Sequence, residues 1–73
     1  MRVNLNSTER VRDFCALCMK CPEEVDVHSG RYIVSGKSIM GIFSLDLTNP
    51  VEVEFHGYIP DEVKEGMKKF IVN

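Results

Sequence analysis

Three regularly spaced cysteines are the residues with the most distinctive chemical potential in this chain. Cys15, Cys18 and Cys21 form a C-x2-C-x2-C run, and thiolates at such spacing bind zinc or iron–sulfur clusters. Those sites need a fourth ligand, but the chain has only 3 cysteines, and His28, the nearest histidine, lies beyond a proline. We therefore expect the thiols to pack as small core residues, with Cys21 the most exposed and reactive of them. The sequence leads us to expect no metal and no cofactor.

Ser38 is the second candidate, because a polar segment turns apolar at helical spacing at this residue. Residues 36–45 read Gly-Lys-Ser-Ile-Met-Gly-Ile-Phe-Ser-Leu, which predicts one short helix with Ser38 as its N-cap. The apolar residues that follow the cap are predicted to form the buried side of this helix: Ile39, Met40, Ile42 and Phe43. On the residues alone, a capping role for Ser38 is the simplest interpretation.

The elements around these candidates alternate between strands and helices. Alternating apolar and polar residues predict strands over residues 2–5, 23–28, 31–35 and 51–56. Asn6 and Glu9 form a capping-box pattern that would start a helix at Ser7 or Thr8 and carry it to about Lys20. A last helix begins at Pro60, and four of its residues are expected to be buried: Val63, Met67, Phe70 and Ile71.

The order β-α-β-β-α-β-α predicts an α+β fold of two layers, with helices on one face of an antiparallel sheet. The chain has 73 residues, which is enough for a single domain over residues 1–73 and too few for two cores. Ser29 and Gly30 provide the turn signal between the second and third strands.

The net charge and pI of the chain favour some classes of binding partner over others. The net charge is −2 and the pI is about 5.6, so no basic field favours nucleic acid or an anionic membrane, and protein partners fit better. Residues 1–6 lack the apolar core of a signal peptide, and no stretch is long enough to span a bilayer. We therefore expect a cytoplasmic protein with reduced thiols.

The segment Lys37-Ser38-Ile39-Met40-Gly41, continued by Ile42-Phe43-Ser44-Leu45, closely resembles the regulatory-serine segment of HPr. This family comprises the histidine-containing phosphocarrier proteins of the bacterial sugar phosphotransferase system. The resemblance implies an open-faced β-sandwich with sheet order first, fourth, second, third strand. It also implies that Ser38 is phosphorylated by a serine kinase. The residues implied to form a surface for protein partners are Lys37, Ile39, Met40, Ile42 and Phe43.

The carrier motif of the family is missing. A histidine begins the first helix of HPr, with an arginine and a proline two and three residues later, but the matching positions here hold Ser7, Glu9 and Arg10. A serine ester is no comparable phosphoryl relay, because it lacks the nucleophilic imidazole nitrogen. His28 and His56 lie on strands, and the implied sheet order places them at opposite ends of neighbouring strands, which argues against a metal pair.

The chain is thus similar to the catabolite-repression HPr paralogues of bacilli, which also lack the carrier histidine. The resemblance implies a non-enzymatic regulatory protein whose partners are a serine kinase, a transcription regulator or a transporter component. Two alternatives remain open at this point. One is a phosphocarrier with an atypical site at Ser7, and the other is a metal- or redox-active protein that uses Cys15, Cys18 and Cys21.

Overall fold

A computed structural model of the chain describes residues 1–72 and has the predicted β-α-β-β-α-β-α order. The elements are β1 (Arg2–Val3), α1 (Thr8–Cys18), β2 (Val25–Ser29), β3 (Tyr32–Ser35), α2 (Ile39–Phe43), β4 (Val51–Phe55) and α3 (Asp61–Met67). The four strands form one antiparallel sheet in the order β1-β4-β2-β3. The three helices lie on one face of this sheet, which confirms the predicted α+β open-faced sandwich.

Alternation along the strands separates the two faces of the sheet. Val25 and Val27 of β2 are fully buried against the helices, whereas Asp26 and His28 lie on the opposite, open face. Val27 pairs with Val34 of β3 and with Val53 of β4, so apolar side chains from three strands meet at one level. Gly30 closes the β2–β3 hairpin with a φ of 58°, the left-handed conformation that glycine adopts most readily.

Helix α1 begins at Thr8, which is one of the two predicted starting residues. The N-cap is Ser7, whose side-chain oxygen accepts a hydrogen bond from the backbone N–H of Arg10 at 3.2 Å. Asn6 is therefore not the cap, and the helix ends at Cys18 rather than near Lys20. Its buried stripe consists of Val11, Phe14 and Cys18.

One continuous core lies between the helices and the sheet. Its largest fully buried side chains are Phe14 and Phe70, whose rings meet edge to face with centroids 6.0 Å apart. Val63, Met67 and Phe70 are buried as predicted. Ile71 is 43 % exposed, so the prediction for this residue was wrong: α3 ends at Met67, and Ile71 instead forms a β-bridge with Val3. In residues 1–72 no helix has the length and apolar character needed to cross a membrane.

Candidate functional site

Ser38 lies at the start of α2, with its side chain at the surface. Its backbone is extended, and its Oγ accepts a hydrogen bond from the N–H of Gly41 at 3.1 Å. The carbonyl of Ser38 accepts the first helical bond, from the N–H of Ile42 at 3.0 Å. The predicted N-cap is therefore present, and it holds an exposed hydroxyl in a fixed position beside the helix.

The apolar residues of α2 divide between the core and the surface. Ile42 is fully buried and Ile39 is half-buried, but Met40 is 78 % and Phe43 is 43 % exposed. The prediction that all four form the buried side was wrong for Met40 and Phe43, because a helix of five residues cannot turn every side chain inward. Conversely, the burial of Ile42 removes it from any surface that a partner could contact.

The side chain of Lys37 is held in place by a hydrogen bond, unlike that of a fully exposed lysine. Its Nζ donates a hydrogen bond to the carbonyl oxygen of Cys21 at 2.7 Å, and the side chain is half-buried. The lysine therefore connects the segment before α2 to the turn after α1. Of the residues that resemblance assigns to the partner surface, Met40 and Phe43 are the most exposed.

A shallow cavity joins α2 to the start of α1. It measures about 310 Å³, and Phe43 lines it together with Ser7, Thr8, Leu5 and Leu47. Ser7 is exposed and is occupied as the N-cap of α1, with Glu9 in the first turn. Ser7, the position that the resemblance aligns with the carrier histidine of HPr, thus lies on the same cavity as an exposed aromatic residue of α2.

The cysteines differ from the prediction in one respect. Cys18 is fully buried and Cys15 is half-buried, but Cys21 is only 4 % exposed, so the expectation that Cys21 is the exposed thiol was wrong. The chain turns inward after α1, where the N–H of Cys21 donates to the carbonyl of Cys18 at 3.0 Å. Burial, followed by the neighbouring Cys21 and Cys15 thiols, raises the pKa of Cys18 to about 12. Within residues 1–72 the three thiols do not converge as a set of metal ligands.

The two histidines lie far apart on the open face of the sheet. His28 is paired with Glu52 in the β2–β4 register, whereas His56 follows β4 at the other end, where its N–H donates to the carbonyl of Glu24. His28 Nε2 is 3.2 Å from Glu54 Oε1, and His56 Nε2 is 2.7 Å from Asp26 Oδ2. The hydrogen bond to Asp26 is the main cause that raises the pKa of His56.

Asp26 and Glu54 are the residues that sequence reasoning missed here. They are directly paired in the β2–β4 register, and His56 lies two residues beyond Glu54 on the same face of β4. The signal was present in the alternation, since residues 24, 26 and 28 and residues 52, 54 and 56 are all acidic or histidine. The two histidines do not pair with each other, and each instead meets a carboxylate from the neighbouring strand.

No family model matches the chain, and comparison with curated proteins and with solved structures gave no significant match.

Proposed function

We propose that this chain is an HPr-like regulatory protein that is phosphorylated on Ser38 and binds protein partners through the surface around α2. The observation that carries the proposal is the exposed N-cap hydroxyl of Ser38 at the start of the helix that carries the exposed side chains of Met40 and Phe43. The element order and sheet order add support, because they are those implied by the resemblance to HPr. We place the protein in the bacterial cytoplasm and in the regulation of sugar use.

Phosphorylation would change this surface by charge and leave the fold in place. A phosphate on Ser38 Oγ adds about −1.5 to −2 charges at neutral pH, and its oxygens can accept the hydrogen bond that Gly41 now donates to Oγ. The added charge would lie at the N-terminal end of the helix that carries Met40 and Phe43. A partner that buries these two side chains would therefore either bind the phosphate or be repelled by its charge. The modification would select between partners in this way.

Phosphoryl transfer through histidine is not part of this role. Ser7 occupies the start of α1, where its side-chain oxygen accepts the capping hydrogen bond from Arg10, and among residues 1–72 no side-chain base is hydrogen-bonded to its hydroxyl to activate it. His28 and His56 lie on the open sheet face, away from any helix start, and each contacts a carboxylate.

An in vitro kinase reaction tests the regulatory role. The protein is incubated with ATP and a serine kinase that is active on HPr, and the phosphate is located by mass spectrometry. We expect one phosphate per chain on Ser38 and none on the Ser38→Ala variant. Ser44→Ala is the matched control, because Ser44 caps the other end of α2 and donates from Oγ to the carbonyl of Gly41 at 2.6 Å. Modification of Ser44, or none at all with a kinase shown to be active, would refute the role of Ser38.

A second reaction tests the absence of carrier activity. The protein is incubated with enzyme I of the phosphotransferase system and phosphoenolpyruvate, any added phosphate is located by mass spectrometry, and its acid lability is measured. We expect none above the level of a reaction without enzyme I. A stoichiometric acid-labile phosphate on His28 or His56, or a phosphate on Ser7, would show that the chain is a carrier after all.

A further inference from the structure

The open face of the sheet carries an array of ionisable side chains on its two central strands. Asp26 of β2 and Glu54 of β4 are directly paired in the ladder. His56 lies two residues beyond Glu54 on the same face, and its Nε2 is 2.7 Å from Asp26 Oδ2. One ligand atom from each of these three residues lies within 4.8 Å of the other two. Residues that are far apart in sequence thus present one nitrogen and two oxygens to a common point.

Two negative charges lie opposite each other at this point. Carboxylates that face each other across neighbouring strands repel, whereas cross-strand pairs of opposite charge are favourable. Among the described residues, the ion-pair partners of Asp26 and Glu54 are the imidazoles of His56 and His28 and not a permanent cation.

A divalent metal ion satisfies both the geometry and the charge. Zinc is bound by imidazole nitrogen at about 2.0–2.1 Å and by carboxylate oxygen at about 2.0–2.2 Å, which places neighbouring ligand atoms about 3.3 Å apart. His56 Nε2 and Asp26 Oδ2 are 2.7 Å apart, which is shorter than this value, and all three ligand atoms lie within 4.8 Å of one another. The three side chains are 28 to 57 % exposed, so small rotations can bring the atoms to the required spacing.

We propose that Asp26, Glu54 and His56 form a binding site for Zn²⁺ on the open face of the sheet, with water in the remaining coordination positions. The mixed nitrogen and oxygen ligands favour Zn²⁺ over Mg²⁺ and Ca²⁺, which prefer oxygen ligands alone. The site joins β2 to β4, the two central strands. It lies on the face opposite the helices and is independent of the proposed role of Ser38.

Calorimetric titration of the chelator-treated protein with ZnCl₂ at pH 7.5 tests the site. We expect one saturable Zn²⁺ per chain and no saturable binding of Mg²⁺. Loss of even an outer-shell partner weakens metal binding about 10- to 100-fold, so Asp26→Asn and His56→Ala should each weaken it at least that much. Glu52→Gln is the matched control, because Glu52 is the next exposed residue along the same face of β4 and is not a proposed ligand.

A second measurement on the unmodified protein separates this site from the cysteines. In an NMR titration with Zn²⁺, we expect the largest shifts in the His56 imidazole and in the amides of residues 24–28 and 52–56. Ser38→Ala should bind Zn²⁺ as the parent does, which keeps this test distinct from the kinase reaction. Shifts centred on residues 15–21, no saturable binding, or binding retained in both ligand variants with unchanged circular dichroism would overturn the proposal.

Discussion

At the scale of single residues, Ser38 combines a structural role with the proposed chemical one. Its Oγ satisfies the N–H of Gly41, so Ser38→Ala should lower the free energy of unfolding by about 0.5–2 kcal/mol. Ser38→Asp should stay within about 1 kcal/mol of the parent, because aspartate is also a good N-cap and its charge suits a helix start. Urea unfolding followed by circular dichroism measures both. A Ser38→Asp variant as unstable as Ser38→Ala would contradict the capping role.

The three thiols should react in an order set by burial. Burial raises the pKa of Cys15, Cys18 and Cys21, and it raises that of Cys18 the most clearly, to about 12. A raised pKa lowers the thiolate fraction at neutral pH, and the thiolate is the reactive form. We therefore expect iodoacetamide at pH 8 to label half-buried Cys15 first and fully buried Cys18 last.

Fragment-ion mass spectrometry over a time course distinguishes these thiols. In denaturant all three should react at similar rates, because the differences arise from the fold. Labelling of Cys21 before Cys15 would mean that the turn after α1 opens in solution.

At the scale of elements, the Arg10 side chain links α1 by hydrogen bonds to residues near both ends of the described chain. Its Nε donates to the carbonyl of Asn4 at 2.8 Å, a second guanidinium nitrogen donates to the carbonyl of Lys69 at 3.0 Å, and the guanidinium lies 5.0 Å from the centre of the Phe70 ring. Arg10→Ala removes both charged hydrogen bonds and the cation–π interaction at once. We expect this variant to have a free energy of unfolding lower by roughly 1–3 kcal/mol.

Arg12→Ala is the matched control for Arg10→Ala. Arg12 is exposed and lies on the same helix, two residues beyond Arg10. Its removal should change the stability by no more than about 0.5 kcal/mol, as for most surface substitutions. Equal decreases in the two variants in urea unfolding would show that the interactions of Arg10 contribute little.

The elements also show where sequence reasoning succeeds and where it fails. Alternation predicted the strands and their inward faces correctly, because the alternating valines of β2 and β4 fit only one assignment of buried and exposed faces. Helical periodicity failed at the ends of helices: it continued past Met67 to Ile71, and it assumed that all of α2 faces inward. Local spacing cannot indicate where the chain folds back, and the burial of Cys21 and the meeting of Asp26 with His56 both depend on tertiary register.

At the scale of the whole molecule, the sheet should be most stable at its centre. β2 and β4 pair with each other over four residues, and each has a second neighbour, whereas β1 and β3 lie at the edges. Strands that are paired on both sides open only with global unfolding. We therefore expect the amides of β2 and β4 to exchange slowest with deuterated solvent, and those of five-residue α2 to exchange faster.

Native-state hydrogen exchange followed by NMR tests this order. The amides to compare are those of Asp26 and Glu54, which are paired with each other in the centre of the sheet, with those of Ile42 and Phe43 of α2. Protection of α2 equal to that of β2 would mean that the proposed docking helix opens only with the whole domain.

The bridge between Val3 and Ile71 has a consequence for how the protein is made. The N–H of Asn4 donates to the carbonyl of Phe70, and that of Val72 donates to the carbonyl of Arg2, so these hydrogen bonds join residues nearly seventy positions apart. Closing so long a loop is entropically unfavourable until the rest of the core has formed. On the ribosome, Arg2 and Asn4 lack these hydrogen-bond partners until residues 70–72 have emerged from the exit tunnel. The fold is thus completed only after the whole of this domain has been translated.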